Sequence, residues 1–487
     1  MSKSEESHSE KARLSNESIS RREFLKLAGV TGAAVGLGTG LGGLIAACGE
    51  EGTTTTSGAA TSQATTATSA GSTTTVSVAA EMGREIRIGS VQPVTGPLGA
   101  FGIADVWATK VTEEVVGDGI VLGDGKKHPI TIVAQDCQSD SNRSAQVAGD
   151  LILNEKVDIL LGSVAPDVTN PSADQAEALG CPYLTNYSPW NAFVFGRGAD
   201  LKTPFKWTYG HCMGTEQMMY SILAAVDEVP NNKRCAFITH IAADGEAWLD
   251  EKAGAPVALR RYGYEMASVG RYNVGAEDYT SLISQFRKDG CDVLVGAMIT
   301  PDFVNFWKQA LQQGFNPKVP AMGLALAVPQ AQEGLGSVGI GLITEQGWNP
   351  NYPFTDPLTG MTCQELAERW EKDTGLQRTN AIGHLGKFAW AIDVLKRTKD
   401  PDDKESILDA IKTTKMTVIN GPIDFTTPID PDPSAPESFR PHPNVCKPVY
   451  SGGQWVKGTK WPAEEVIVSN ICAPMVETVP VVPYVYS

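Results

Sequence analysis

The feature that most constrains the fold is an alternation of β-branched and amphipathic segments that begins at residue 86. Residues 86–91 predict a short strand, residues 92–102 a loop rich in turn-forming residues, and residues 103–116 an amphipathic helix. Such a βα unit opens a parallel sheet, in which loops at the carboxyl ends of the strands hold ligands. The loop contains Thr95 and Phe101 but no nucleophile, base or metal ligand. We therefore expect a protein that binds a small molecule, with no catalytic residue, metal or cofactor.

The alternation continues in two similar series, which favours two lobes, each a parallel sheet covered by helices. The first series adds strand 130–134, helix 144–155, strand 157–162, helix 169–179, strand 181–185 and an extended segment 205–209. The second contains helix 215–227, strand 235–239, helix 245–262, strand 265–269, helix 278–288, strand 293–296, helix 303–313 and strand 319–322. Beyond these come strand 341–346, helices 362–374, 380–398 and 405–412, late strands at 423–425 and around 450–455, and an irregular loop 430–443.

Size and charge narrow the choice of function. A chain of 487 residues is longer than one hydrophobic core usually spans, which is a second reason to expect two lobes. Its 40 basic and 56 acidic residues give a formal charge of −16. Nucleic-acid binding depends on basic patches that displace counterions, so we expect no nucleic-acid partner. We also expect the chain to act as a monomer.

Residues 1–48 have the organisation of an export signal. Arg21 and Arg22 precede an uncharged stretch at residues 27–47, which ends in small residues and Cys48. The arginine pair predicts a twin-arginine signal, and the ending Leu-Ile-Ala-Ala-Cys resembles a bacterial lipobox, in which the cysteine is lipidated. A retained membrane helix is the alternative, although the many glycines of the stretch make a poor helix. Export by the general route is a second alternative.

Residues 49–84 predict a flexible tether, because Thr, Ser, Ala and Gly dominate the segment and bury too little apolar area to offset the entropy of ordering. A lipid at Cys48, a tether and a soluble body place the working part outside the cytoplasmic membrane but next to it. That arrangement suits a protein that delivers a molecule to a membrane partner.

From residue 85 onward the order of elements resembles the type I periplasmic-type solute-binding proteins of ABC transporters, in the branched-chain amino-acid-binding subgroup. The resemblance rests on short motifs in a fixed order: residues 88–89, 95–97 and 101–102, then 159–163 before 169–171, then 278–283 before 292–294, and finally 421–425. Joined to the leader and tether, this order implies a binding lipoprotein that presents its ligand to permease subunits.

The resemblance implies an α/β fold of two Rossmann-like lobes, joined by three crossing strands, that close on a ligand like a Venus flytrap. Lobe I would contain residues 85–209 and 344–421. Lobe II would contain residues 210–343 and 422–487. The family consists of binders, so the resemblance implies no enzymatic activity.

In the family, two loops of lobe I hold the ligand's carboxylate through N–H groups and hydroxyls. They correspond here to residues 163–169, with Ala165 and Asp167, and to residues 186–190. The second loop contributes Tyr187, Ser188 and Trp190. The family's hydroxyl positions fall on Pro166 and Asp167, and a carboxylate there would repel a ligand carboxylate. The alternative is that Asp167 only caps the helix that starts near Thr169.

The family's other ligand contacts map onto residues of different chemistry. The aromatic residue that covers the ligand is Phe101, for which ordinary packing is the alternative. Asp244 stands where the family has a tyrosine, and Ala325 where it has the acid that grips the ammonium group. Thr300 and Trp348 are further candidates, although Trp190 and Trp348 could equally be core residues.

These departures predict a ligand other than a branched-chain amino acid, because the usual anion and cation sites are both altered. The expected ligand is an amide, an amine-bearing compound or an aromatic acid. Two alternative functions are a sensory binding protein that signals to a membrane receptor and an exported enzyme.

Two further motifs are given a structural interpretation. Residues 334–339 match G-x-G-x-x-G but precede a strand, so they predict a turn and no dinucleotide site. Eight cysteines follow Cys48, an even number that allows disulfides in an exported protein. The expected pairs are Cys446 with Cys472 and Cys137 with Cys181, whereas Cys235 and Cys291 lie on predicted core strands and are expected to be free.

Overall fold

The computed structural model of the protein describes residues 80–486, so the export signal and most of the tether lie outside the described residues. The strands are β1 (Ile86–Gln92), β2 (Ile120–Val121), β3 (Lys127–His128), β4 (Ile130–Asp136), β5 (Ile159–Leu161), β6 (Tyr183–Asn186), β7 (Thr208–His211), β8 (Arg234–His240), β9 (Glu265–Tyr272), β10 (Val293–Met298), β11 (Val319–Pro320), β12 (Gly323–Leu324), β13 (Ile343–Gln346), β14 (Lys415–Val418), β15 (Gly421–Asp424), β16 (Val445–Cys446), β17 (Tyr450–Lys457) and β18 (Ala463–Cys472). The α-helices are α1 (Gly99–Val116), α2 (Ser141–Leu153), α3 (Pro166–Leu179), α4 (Trp190–Phe195), α5 (Thr215–Val226), α6 (Ala243–Trp248), α7 (Ala255–Tyr262), α8 (Thr280–Lys288), α9 (Thr300–Gln312), α10 (Pro329–Leu335), α11 (Cys363–Thr374), α12 (Leu385–Arg397) and α13 (Lys404–Lys412).

Two parallel sheets form the body. The first has the order β16-β7-β6-β5-β1-β4, and all of its neighbouring strands run parallel. The second has the order β11-β10-β8-β9, with β12 also paired to β10, and is again parallel. Helices connect successive strands, as parallel pairing requires. The predicted α/β class with two helix-covered parallel sheets is therefore confirmed.

A third, antiparallel sheet has the order β13-β17-β18. Ile343, at its start, also forms a bridge with Ala321 beside the second sheet. Val445–Cys446, close to this sheet in sequence, pairs instead with β7 at the edge of the first sheet. The chain therefore passes between the two parallel sheets several times, as the predicted crossing strands require.

The sequence forms these elements for local reasons. Every residue of β10, Val293–Met298, is buried, as expected for a strand covered on both faces. Helix α2 begins where the Asp140 carboxylate accepts a hydrogen bond from the Arg143 N–H, at 2.7 Å. Helix α11 begins with a capping box in which Thr362 and Glu365 bond each other's backbone N–H groups.

The predicted helix over residues 245–262 is wrong. The structure has two short helices there, α6 and α7, separated by a turn. The turn forms because the Asp250 carboxylate accepts hydrogen bonds from the N–H groups of Lys252 and Ala253 at 2.9 and 2.7 Å. Pro256 then fits the first turn of a new helix, whereas it would break the interior of a continuous one. Of the predicted strand 319–322 only Val319–Pro320, β11, forms a strand, and β12 follows at Gly323–Leu324.

The cysteine pairs predicted from the sequence are also wrong. All eight cysteines of the described residues, from Cys137 to Cys472, are buried and unpaired. Cys235 and Cys291 are free and buried, as predicted. Burial raises the pKa of the Cys137 and Cys181 thiols to about 12, so these side chains behave as small apolar residues. Within residues 80–486, no helix is both long enough and apolar enough to span a membrane.

Candidate functional site

A cavity lies where the carboxyl ends of strands from both parallel sheets approach the third sheet. A water molecule can enter only about 30 Å³ of it, so the cavity is nearly closed in this structure. The lining residues are mostly apolar or aromatic, and they come from distant parts of the chain: Phe101, Val164, Ala165, Tyr187, Pro189, Met213, Met218, Asp244, Trp248, Leu324, Ala327, Glu345, Asn380 and Tyr450. An apolar cleft with a few polar groups is the usual form of a small-molecule site.

On the first-sheet side, the start of α1 presents Phe101 to the cavity. The neighbouring residue, Gly102, packs so closely that a Cβ there would stand 2.1 Å from the Pro93 carbonyl oxygen. A side chain at this position would therefore push α1 away from its loop and displace Phe101. The sequence prediction that Phe101 faces the ligand remains a prediction, and its position at the cavity agrees with that role.

Backbone strain is concentrated around the cavity. Of the seven non-glycine residues with positive φ in residues 80–486, three line it, namely Ala165, Tyr187 and Leu324, at 65°, 54° and 58°. Each such conformation costs on the order of 1–3 kcal/mol and persists only where the surroundings enforce it. For Tyr187 the enforcement is visible, since its hydroxyl donates to the Asn380 carbonyl at 2.9 Å and accepts from Asn420 Nδ2 at 3.0 Å.

On the second-sheet side, two acids line the cavity. Asp244 in α6 is 4% exposed, and its Oδ2 atom has no hydrogen-bond partner among the described residues. Glu345 in β13 is 3% exposed, and the Leu324 N–H donates to its two carboxylate oxygens at 3.1 and 3.2 Å. Trp248, the last residue of α6, lies beside them. Asp244 was predicted from the sequence, but Glu345 and Trp248 were not.

Burial decides the proton affinity of both acids. It raises the pKa of Asp244 to about 6, against the opposing charge of His240. It raises the pKa of Glu345 to about 7, and the negative charge of Asp244 adds to the effect. Buried carboxyl groups with a raised pKa are common at functional sites.

Asp167 does not line the cavity, and it joins the two sides instead. Its Oδ1 atom accepts a hydrogen bond from the Ala243 N–H at 3.0 Å, at the first residue of α6. It therefore caps a helix of the second-sheet side. The alternative that it caps a helix starting near Thr169 is wrong, because that helix, α3, already begins at Pro166 and Asp167 lies in its first turn. His240 Nε2 lies 3.8 Å from Asp167 and 4.0 Å from Asp244. Burial alone would lower the pKa of His240, but these carboxylates raise it above its ordinary value.

The other predicted residues lie outside the cavity lining. Ser188 is buried, and its hydroxyl has no partner among the described residues. Trp190 Nε1 donates to Glu216 Oε1 at 2.9 Å, and the Thr300 hydroxyl donates to the Ala325 carbonyl at 3.2 Å. Trp348 is fully buried beside a second, smaller cavity. Ala325 carries no acid, as the sequence indicated, but the preceding residue, Leu324, donates its N–H to Glu345 of β13.

A buried charged cluster supports the first-sheet side. Asp105 in α1 is fully buried, and its Oδ1 atom bonds Lys387 Nζ at 2.5 Å and His384 Nδ1 at 2.9 Å. Its Oδ2 atom accepts a hydrogen bond from the Ser163 hydroxyl, in the loop that leads to Ala165. Burial alone would raise the pKa of Asp105, but the charges of Lys387 and His384 hold it well below its ordinary value. The cluster therefore fixes the loop and leaves the Ser163 hydroxyl already engaged.

The sequence agrees with this architecture. The profile of the family described as "Periplasmic binding protein" matches residues 85–435, most of the chain. The chain belongs to the periplasmic binding protein family. A second profile, that of the twin-arginine translocation (TAT) pathway signal sequence, matches residues 18–38 and contains the predicted Arg21 and Arg22. This periplasmic binding protein is therefore exported across the cytoplasmic membrane.

Curated relatives match only part of the chain. The Leu/Ile/Val-binding protein homolog 7 of Brucella abortus (strain 2308) is 24% identical over 257 residues, which are 49% of this chain and 58% of the relative. The same protein of Brucella melitensis biotype 1 matches to the same extent. The match thus spans little more than half the length of these relatives. It does not show that this chain has their binding activity.

Solved structures of periplasmic binding proteins share the fold. The substrate-binding protein LivJ of Streptococcus pneumoniae, in complex with isoleucine, superposes with a TM-score of 0.61 at 15% identity, covering 79% of this chain and 99% of LivJ. The leucine-binding protein LivK of Thermotoga maritima gives 0.60 at 19%, covering 79% and 99%. A Rhodopseudomonas palustris BisB5 solute-binding protein, in complex with 3,4-dihydroxybenzoic acid, gives 0.61 at 16%, covering 79% and 96%. The predicted type I fold is therefore confirmed.

Proposed function

We propose that this periplasmic binding protein captures one small molecule between two hinged lobes and delivers it to the permease of an ABC transporter. The observation that carries the proposal is the cavity itself, which is lined from the carboxyl ends of both parallel sheets and from the third sheet. A site shared in this way opens and closes when the sheets move relative to each other. Residues 85–209 with 344–421 form lobe I and residues 210–343 with 422–487 form lobe II, apart from Val445–Cys446, which pairs in the first sheet, and Glu345, which bonds Leu324 on the second-sheet side.

The protein acts as a monomer and is held at the membrane surface by a lipid on Cys48, with residues 49–84 as the tether. Two proteins of the same fold support transport, since LivJ and the Rhodopseudomonas protein are binding proteins of transporters. Mass spectrometry of the exported chain checks the anchor. A diacylglyceryl group on Cys48 is expected, and Cys48→Ser should release the protein from the membrane. A Cys48 that is retained inside an intact leader contradicts the anchor.

Ligand capture is tested on the full chain, purified in a neutral detergent. A thermal-shift screen of small amides, amines and acids is expected to yield a compound that raises the melting temperature, because a ligand that binds only the folded state stabilises it. The same compound should reduce the radius of gyration measured by small-angle X-ray scattering. Co-purification with permease and ATPase subunits supports transport, and co-purification with a receptor kinase instead would contradict it.

A further inference from the structure

We infer that the molecule captured in the cavity is a small apolar amine, bound as its ammonium cation between Asp244 and Glu345. This inference rests on the proposed function and specifies its ligand. Asp244 presents a buried carboxylate oxygen that has no hydrogen-bond partner among the described residues, and Glu345 presents a second buried carboxylate to the same cavity. An ammonium group supplies the donors and the charge that these oxygens require.

The charges around the cavity favour a cation. Its lining, taken from the described residues, contains two acids and no Lys, Arg or His. His240 in β8, which does not line the cavity, is the basic side chain next to Asp244. Its Nε2 atom lies 4.0 Å from the Asp244 carboxylate and 3.8 Å from the Asp167 carboxylate. Even with a charged His240, the carboxyl groups of Asp167, Asp244 and Glu345 outnumber this one base. The formal charge of −16 on the whole chain acts in the same direction.

The first-sheet side is poorly equipped to hold a carboxylate. The Ala165 N–H donates to the Tyr187 carbonyl at 3.1 Å, and the next residue, Pro166, has no N–H. The Ser163 hydroxyl donates to Asp105. Asp167, one residue further, adds a negative charge to the same helix N-terminus. A ligand carboxylate would therefore meet engaged donors and a like charge where a carboxylate-binding loop would offer free donors.

The side chains that line the cavity suit both the apolar body of an amine and its positive charge. Phe101, Tyr187, Trp248 and Tyr450 place four aromatic side chains around the cavity. A Cβ on Gly323 would lie 3.1 Å from Trp248 Cη2 and 3.2 Å from Glu345 Oε2, so the indole and the carboxylate both border this glycine. Aromatic rings attract cations through their negative faces, and an acid beside the ring adds to the attraction.

The test compares compounds that share a body and differ in the head group. For the full chain in neutral detergent, calorimetric titration is run with 3-methylbutylamine, 4-methylpentanamide, 4-methylpentanoate and leucine, and with phenethylamine and 3-phenylpropionate. Each amine is expected to bind at least tenfold more tightly than the matched acid or amino acid. Its binding should release protons from the buried carboxyl groups, seen as a buffer-dependent enthalpy.

Two isosteric variants, Asp244→Asn and Glu345→Gln, are each expected to weaken amine binding at least tenfold while leaving the amide unchanged. The matched control is Asp356→Asn, since Asp356 is a fully buried acid that does not line the cavity. Amine affinity that is insensitive to both variants overturns the inference, as does tighter binding of an acid or of leucine. In those cases capture of a solute still stands. If no compound of any class binds and a broad solute screen also fails, the proposed function itself is overturned.

Discussion

The carboxylate of Asp167 accepts a hydrogen bond from the backbone N–H of Ala243, with 3.0 Å between the two atoms. Asp167 lies in the first turn of α3, and Ala243 is the first residue of α6. One helix covers the first sheet, and the other follows a strand of the second. The contact therefore holds the two sides of the cavity together, and a carboxylate is well suited to the N–H groups that begin a helix.

Asp167→Ala should shift the ligand-free protein toward an open form. A hydrogen bond to a charged group contributes about 1.5–3 kcal/mol, and its loss should weaken amine binding about tenfold or more. The radius of gyration from small-angle X-ray scattering is expected to increase. The control is Asp174→Ala on the same helix, where Asp174 pairs with Arg197 and is 57% exposed. Equal radii for wild type and Asp167→Ala would contradict the closing role.

Lys387→Met should destabilise the fold strongly. Removal of the lysine leaves Asp105 as a fully buried charge with only His384 and Ser163 as partners, and breaking a buried pair costs about 3–5 kcal/mol. The free energy of unfolding in urea measures the loss. Lys460→Met, which removes an exposed partner of Glu371, should cost less than about 1 kcal/mol.

The double variant Asp105→Leu with Lys387→Met separates a buried-charge effect from a packing effect. It is expected to be more stable than Lys387→Met alone, because no charge is then left unpaired. If the double variant is less stable than the single one, Lys387 does not stabilise the fold through its ion pair with Asp105.

The stability of the ligand-free protein should fall as the pH rises from about 4.5 to about 7, in part through Glu345. Because burial raises the pKa of Glu345 to about 7, the folded state in this window holds a proton that the unfolded chain has released. Each pH unit therefore costs up to about 1.4 kcal/mol for one such group. Glu345→Gln should flatten the dependence, measured by urea unfolding at several pH values.

Glu368→Gln, at an exposed position of α11, serves as the control for this pH dependence and should leave it unchanged. Asp244 should contribute in the same direction over a lower range, because burial raises its pKa to about 6. A stability that rises with pH across this window would contradict the buried, proton-holding state of both acids.

Reducing agents should leave the melting temperature unchanged, because the eight cysteines of the described residues are unpaired. In the native state these buried thiols should react slowly with Ellman's reagent, since the thiolate is the reactive form and burial raises the thiol pKa, in Cys137 to about 12. Unfolding in guanidinium chloride should expose all eight. A melting temperature that drops on reduction would show that disulfides form after all.

The layered α/β fold was predictable because its determinants are local. Buried parallel strands such as Val293–Met298 are continuous apolar runs, and helices alternate with them along the chain. The error over residues 245–262 is instructive, because the apolar period continues through the break. What ends α6 is the Asp250 side chain, which bonds the N–H groups of Lys252 and Ala253. An Asp followed by Gly254 and Pro256 was the signal that could have been used.

The cavity was only partly predictable, because it is assembled from distant segments. Phe101, Ala165, Tyr187 and Asp244 follow or begin elements whose order the sequence reveals, and all four line the cavity. Glu345 sits within a predicted strand, where nothing local marks an acid as functional. A glutamate inside a strand predicted to be internal is seldom buried without a reason, which could have prompted the question.

The edge of the first sheet has a consequence for how the protein is made. Val445–Cys446 pairs with Gly210 and His211, so this sheet takes its outermost strand from a segment more than two hundred residues further along the chain. When the ribosome has produced the first five strands of this sheet, the last of them, β7, has no partner on its outer side until almost the whole polypeptide has emerged. Folding of the amino-terminal half during synthesis should therefore stop one strand short, and an amino-terminal fragment made alone would expose that edge to self-association.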